Sequence, residues 1–524
     1  VVVSAGFGAS TGFSSIPFGK VGFGFAVLAG LTSAGFAVSE PFGNVGFGFA
    51  VSAGLTSAGA ITLGTSSAAK VTVVNLEALT TVTSIQTGTA THTISFAKAT
   101  NIHLTALTRY GASLTLLGDD DSTICCEFVI PSSKTQTSID WPSLADSPWP
   151  MFMHDPQLTG RSHLSGPREG SIDTVYTPGG ELYSNPSIDS EDNILFISNT
   201  GFPIGDSYLI SINDSSIKNW DMNLGNGWSV GTPLITSDYY LYLSAVNNNT
   251  GYLFKSDLSG NIVWTYSLGS FSNETNGSVN ISKDGNLVFV AGFGGSLYAV
   301  KKDGNLEWNY VVKSGITIGN PAMSIDGEQI YFVSNEPALY CVSLNGDSLW
   351  KRILHENSEV STINPCVDSD GNIYVYSGEN LYSFSSEGYL RWQYQGLSNG
   401  YALNGISIGI DGSLFISTLS DFYCFSYGGF FKWSMNILQY NSGISTIPTS
   451  DINGYSFLAI DNTDVEFQDW IGINFIIFDQ SGGIYKKLSV GDHRHTADST
   501  PCIVSGVIYG GTSGTAGSFL YSIK

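Results

Sequence analysis

One pattern of apolar and polar positions recurs eight times towards the end of the chain. Each unit opens with a small residue before proline, or with a Gly-small pair, ahead of a short apolar strand: "SNPSID", "GTPLIT", "NGSVNI", "GNPAMS", "INPCVD", "NGISIG", "TIPTSD" and "STPCIV". A tight turn follows, as in "SKDGNLVFV", "SIDGEQIYFV", "DSDGNIYVY" and "GIDGSLFIS". Asp-Gly between alternating apolar runs marks a hairpin, because the turn needs positive φ. A third strand ("YLISI", "SLYAV", "ALYCVS", "DFYCFS") leads through a glycine turn to a fourth that carries tryptophan. Those tryptophans are Trp220, Trp264, Trp308, Trp350, Trp392 and Trp433, spaced 44, 44, 42, 42 and 41 residues apart. Four strands in about 40–45 residues make one propeller blade.

The seventh unit is stretched by "DNTDVEFQDW", and Tyr485 is assigned to its tryptophan place. The eighth ends after its third strand, "FLYSIK". Its missing strand is sought upstream, in "DTVYTPG" at 173–179, with Tyr176 in the tryptophan place. Such closure removes the sheet edges that invite aggregation. Eight blades is the count that closes, with seven as the fallback.

Upstream the pattern changes twice. Residues 1–69 carry only Lys20 and Glu40 as charges and repeat with a period of 24, "FGKVGFGFAVLAGLTSAGFAVSEP" being followed by "FGNVGFGFAVSAGLTSAGAITLG". A repeat this short must stack on its neighbours or on other chains to bury its apolar face. Frequent glycine favours extended packing over a helical membrane hairpin, since glycine costs about 1 kcal/mol in a helix interior. Residues 70–140, with "KVTVVNLEAL", "THTISFAKA" and "IHLTALTRY", alternate as a small β-sandwich does, and "SSKTQTSID" reads as a linker. The expected organisation is a Gly/Phe-rich stem (1–69), a sandwich-like domain (70–140) and a propeller (141–524) entered through "WPMFMHDPQLTGRSHLSGP" at 149–167. The fold class is all-β, an eight-bladed propeller of four-stranded blades.

Composition narrows the function. A formal net charge of −23 excludes a surface built on clustered Lys and Arg to neutralise phosphates. Cys341, Cys366, Cys424 and Cys502 fall in propeller strands and read as buried thiols. The adjacent pair Cys125–Cys126 lies before the propeller.

The repeats resemble the quinoprotein-like β-propeller family, shared by pyrroloquinoline-quinone (PQQ) alcohol dehydrogenases and an outer-membrane assembly lipoprotein that uses the propeller as a scaffold. The phrase "WPMFMHDPQLTGRS" is similar to the segment that introduces envelope and secreted members. The phrases "GFSSIPFG" and "GLTSAG" resemble Gly/Phe repeats of phage tail and virion-appendage proteins, which would make residues 1–69 an attachment stem. A quinone dehydrogenase of this family would carry an adjacent-cysteine ring in a blade loop, and Cys125–Cys126 is not in one. The blade tryptophans recur at one structural position, which suits packing between blades better than a cofactor stack. No bound quinone is therefore expected.

Calcium is the one possible ion, with Asp189, Asp192, Asp368 and Asp370 in Asp-rich turns as candidates. Hairpin turns also use Asp for its turn geometry, and that reading competes. His493 and His495 in "GDHRHT" and His154 in "MHDPQ" lack companions at metal-ligand spacing. The sequons at Asn213, Asn248, Asn273, Asn276 and Asn280 carry no weight without a eukaryotic source. The expected function is a non-enzymatic scaffold or binding protein in the extracellular space, the cell envelope or on a virion surface. Its propeller would present loops to a protein or glycan, with self-assembly through residues 1–69 and no nucleic-acid partner. Exposed aromatics such as Trp228, Tyr239, Tyr240, Phe430 and Phe431 are candidates for that contact. The alternative is a PQQ- and calcium-dependent alcohol dehydrogenase-like oxidoreductase, and a third class is an enzyme using the central channel.

Overall fold

The structure, a computed structural model, describes residues 133–524 apart from Tyr183 and a set of loop segments, the longest being 355–363. The stem at 1–69, the sandwich-like segment up to residue 132 with Cys125 and Cys126, and the pair His493 and His495 lie outside the described residues.

Eight four-stranded antiparallel sheets follow one another round an axis. Blades one to seven occupy 187–226, 234–270, 279–311, 322–353, 366–395, 406–436 and 449–490. Blade four shows the plan: Ala322–Met323 is innermost, then Gln329–Ser334, Ala338–Ser343 and the outer Ser348–Ile353. The eighth blade joins Cys502–Val504, Val507–Gly511 and Leu520–Ile523 to Ile172–Tyr176, which pairs antiparallel with the last strand. The strand missing at the end of the chain thus comes from upstream of blade one, as the repeat count required. Trp149, Ile188, Phe457, Phe475, Ile503 and Tyr521 pack together in one buried cluster where the ring closes.

Blades one to six each rest on the next through a tryptophan. The Trp350 ring lies under the glycine turn of blade five, where a Cβ on Gly388 would come within 2.7 Å of it, and its Nε1 donates to Ser386 O at 3.1 Å. Trp220, Trp264 and Trp308 donate likewise to Leu258, Lys302 and Leu344. Trp392 and Trp433 sit under Gly429 and Gly482, but their Nε1 atoms find no acceptor. In blades one to seven the outer pairing shifts register beside this position, as between Cys341 and Val342, and such bulges increase local twist.

That register corrects two assignments. In blade seven Lys486 opposes Ile477 in the place of tryptophan, and Tyr485 is the extra residue of the bulge, 44% exposed and edge-on to Tyr455. In blade eight Asp173 opposes Ser522 in that place, while Tyr176 lies further along the strand near Phe196. The stretch "DNTDVEFQDW" lengthens the central hairpin of blade seven, Ser456–Asp464 pairing with Asp469–Phe478.

The residue before the proline has a defined task. Where it is asparagine it clasps the preceding blade: Ser278 N donates to Asn320 Oδ1 and Asn320 N to Asn364 Oδ1, both at 2.7 Å, which ties the inner strands of blades three and four to the next. Thr500 N donates to Asn185 Oδ1 at 2.5 Å, which clasps blade eight to blade one.

The Asp turns are capped by their own carboxylates, which accept backbone N–H bonds two and four residues on. Hydrogen bonds from Asn261, Asn305 and Ser481 hold Asp257, Asp303 and Asp479 below the usual carboxylate range. At Asp284 and Asp326 burial pushes upward, but the bonds from Ser282 and Ser324 together with the backbone N–H groups of Asn286 and Glu328 bring the net shift down. A depressed folded pKa gives stability that is present above the unfolded value near 3.9 and lost as pH falls through the folded value. The melting temperature is expected to be level above pH ~5 and to fall steeply below pH ~4. Calorimetry across a pH series checks this.

Candidate functional site: the strap across the axis

The inner edge of a propeller exposes a ring of backbone N–H groups towards the axis, each of which costs free energy if buried without a partner. Here the chain itself supplies the acceptors. Trp149 O accepts from Ile188 of blade one and Pro150 O from Ile235 of blade two, both at 2.8 Å. Pro156 O takes the Asn280 amide of blade three and Met323 N of blade four. Gln157 O, Thr159 O and Gly160 O accept from Val367, Ile408 and Ser450 of blades five, six and seven, and Ser165 O from Gly506 of blade eight. The entry phrase at 149–167 is therefore a strap that visits all eight blades in order. Met151, Phe152, Met153 and Leu158 fill the space beneath it at 0–5% exposure. Its tight path puts Met153, His154 and Leu158 at positive φ (54°, 74° and 57°).

The residues just before it make a second pass in the opposite sense. Lys134 N and Gln136 N donate to Asp411 and Ile410 of blade six, and Gln136 Oε1 accepts from Ser369 of blade five. Trp141 Nε1 donates to Ile281 of blade three, Ser143 O accepts from Ser237 of blade two, and Ala145 N donates to Ile235. The polar stretch read as a linker is docked from Lys134 onward. All these contacts lie at the end of the barrel where the first strand of each blade turns into the second. That strapped face is also where the chain from residue 132 arrives; the opposite face carries the connections between blades.

Ionisable groups gather where the strap crosses blades five and six. Asp368 is fully buried and accepts from Asp370 N, Asn372 N, the Asn372 amide and Tyr374 OH at 2.7–2.9 Å. Burial pushes its carboxyl up, against the pull of Arg391. Tyr427 OH donates to Asp370 at 2.9 Å, and Lys134 lies 3.2 Å from the same carboxylate. Arg161 is 6% exposed, and its Nη2 donates to Thr137 O at 3.0 Å. Burial pulls its pKa down, while Asp155 and Asp368 oppose that. Asp451, also fully buried, accepts from Gly166 N at 3.0 Å and pairs with Arg168, whose guanidinium stacks on Tyr455, so the end of the strap is tied to blade seven.

The calcium candidates are now placed. Asp189, in blade one, accepts from Glu191 N, Asn193 N and the Asn193 amide at 2.8 Å, while Asp192 is an exposed turn residue at φ 61°. Asp368 and Asp370 belong to blade five, so the two pairs do not converge. No group of three or more His, Cys, Asp or Glu side chains suited to a metal occurs among the described residues. His154 packs edge-on to Trp149 and His163, and its Nδ1 is 3.6 Å from Asp155. The sequon residue Asn280 is buried, its amide held by Pro156 and Pro321. Sequence reasoning missed Asp155, Arg161, Arg391 and Asp451. The unusual entry phrase was the only signal for the first two.

Fold and strap together define a closed eight-bladed propeller of four-stranded antiparallel blades, its axis crossed at one end by its own chain. The family model that matches residues 209–428 is described as outer membrane protein assembly factor BamB. Among solved structures, BamB from Moraxella catarrhalis superposes with a TM-score of 0.50 at 17% identity, over 67% of this chain and 98% of that one. At that identity the likeness speaks for the fold. No curated protein sequence matches the chain.

Proposed function

We propose that this protein is a non-catalytic scaffold of the cell envelope or an exposed surface, whose propeller holds a protein partner on the face opposite the strap. The carrying observation is that the chain closes its own axis from the strapped face, where its N-terminal region also arrives. The other face is left for recognition. The description of the matching family, an assembly factor of the outer membrane, supports a protein partner and an envelope location. Two of the most exposed apolar residues, Ile353 at 70% and Val311 at 57%, stand at the ends of outer strands on that open face, in neighbouring blades. The reading needs neither quinone nor a resident metal; calcium would be a surface ion.

The test is a photo-reactive amino acid at Ile353 in the full chain, cross-linked in producing cells. A discrete protein adduct at 353, and none from Ile217 on the strapped face, supports the proposal. Equal labelling from both positions, or none, overturns it. Stoichiometric PQQ binding by the purified chain with calcium would overturn the non-catalytic reading.

A further inference from the structure

The two passes over the strapped face are held in different ways. The strap itself touches all eight blades and covers Met151, Phe152, Met153 and Leu158, so it cannot leave without opening the axis to water. The second pass, residues 134–145, reaches only blades six, five, three and two. It bonds to the ends of first strands and to the turns that follow them. The tryptophan seats and the asparagine clasps that join blade to blade do not involve it.

Two buried side chains anchor this pass. Gln136, 2% exposed, accepts from Ser369 N through its Oε1 at 2.9 Å. Trp141, 6% exposed, donates to Ile281 O at 3.1 Å and lies against the turn of blade four, where a Cβ on Gly327 would come within 3.4 Å of its ring. Between the anchors Thr137, Ser138 and Asp140 are exposed, and a bond from Arg161 Nη2 to Thr137 O ties this middle stretch to the strap. Arg161 has the charges of Asp155 and Asp368 near it with or without that bond. Lys134 pairs with Asp370 at the surface, where an ion pair contributes little. A segment fastened at so few points opens well below the free energy of global unfolding.

We infer that residues 134–145 are a latch that lets go while the propeller stays closed. Docked, the chain leaves the propeller at Lys134, bonded to Asp411 of blade six. Released, it leaves at Asp146, next to the place where Ala145 had bonded Ile235 of blade two, on the other side of the ring. The twelve residues set free span up to roughly 40 Å when extended. The latch thus gives the propeller a short fixed mount and a long flexible one on the chain that precedes it. On the reading that the open face holds a partner, this length sets the range over which the partner can be met; the release itself is a property of the strapped face and stands or falls without that reading.

Thiol labelling of the native full chain tests the latch. Ser143→Cys puts a thiol in the second pass and Ser162→Cys puts one in the strap, at positions 8% and 0% exposed. Each variant is treated with excess iodoacetamide without denaturant, and peptide mass spectrometry separates the new thiol from the native ones. Position 143 is expected to react at least roughly a hundredfold faster than position 162, because it needs only the local opening. Adding Trp141→Ala should speed position 143 by roughly a hundredfold more, the effect of losing a buried tryptophan anchor, and leave position 162 as slow as before. A rate at 143 no greater than at 162 overturns the inference, since the pass and the propeller would then open as one. So does a rate at 143 that Trp141→Ala leaves unchanged, which would mean that the thiol is reached without opening, and so does an equal acceleration at both positions.

Discussion

Replacing Asp368 by alanine is expected to lower the stability of the propeller by about 3–5 kcal/mol, the range for a buried charge pair stripped of one partner. The carboxylate accepts two turn N–H groups, the Asn372 amide and the Tyr374 hydroxyl, and it attracts Arg391. Alanine removes the acceptor of the buried Asn372 N–H and Tyr374 hydroxyl and one of the two acceptors of the Asn372 amide, and each buried donor left without a partner costs about 1–3 kcal/mol before relaxation. Asparagine keeps an acceptor of the same shape and gives up only the charge, so Asp368→Asn should lose clearly less. Urea denaturation followed by tryptophan fluorescence measures both. The same residue separates the turn reading from the calcium reading. A ligand that binds only the folded state raises its stability with concentration. If Asp368 caps a turn, the wild-type midpoint will not move between chelator and millimolar calcium, and the alanine variant will be equally weak in both. A calcium-dependent midpoint that disappears in the variant would return Asp368 to the ion.

Much of the architecture could be read along the chain because a propeller writes its plan locally. Asp-Gly turns, apolar alternation and one tryptophan per blade are each set by a few neighbouring residues. The closing strand Ile172–Tyr176 was legible for a different reason: a blade short of one strand at the end of a ring must borrow it from the beginning. The two misplaced tryptophan positions show where that legibility stops. A bulge adds one residue to one strand only, so a search for an aromatic near the right spacing picks Tyr485, whereas pairing selects Lys486.

The strap was hidden for a deeper reason. Its bonds run from its own carbonyls to the inner-strand N–H groups, so almost any residue could make them. What the sequence does record is what the path demands of side chains: apolar residues beneath it at Met151, Phe152 and Leu158, and paired or hydrogen-bonded charges at Arg161 and Arg168. Of the Asp candidates, Asp189 and Asp368 cap hairpin turns with their own carboxylates. The network that Asp368 and Asp370 join depends on Tyr374, Arg391 and Tyr427, which come from two blades, and no spacing in the sequence announces it.

The contact that holds blade to blade can be isolated by comparing two glycines of blade five. Gly388 and Gly396 both have positive φ, 77° and 88°, so an alanine at either pays the same left-handed penalty, about 1 kcal/mol. Their surroundings differ. A Cβ at Gly396 meets nothing within 4 Å, whereas at Gly388 it would come within 2.7–2.9 Å of three atoms of the Trp350 ring. That ring cannot retreat, because its Nε1 is bonded to Ser386 O and its face lies 5.9 Å from Tyr331. Overpacking a fixed core typically costs about 1–3 kcal/mol. Gly388→Ala should therefore lose about 2–4 kcal/mol, and Gly396→Ala only about 1 kcal/mol. The difference between the two is the part that belongs to the interface between blades four and five. Near-ultraviolet circular dichroism should change for the first variant and not the second, since only the first displaces a tryptophan. Equal losses would mean that Trp350 yields at little cost, and the blades would then be held together chiefly by the inner-strand clasps and the strap.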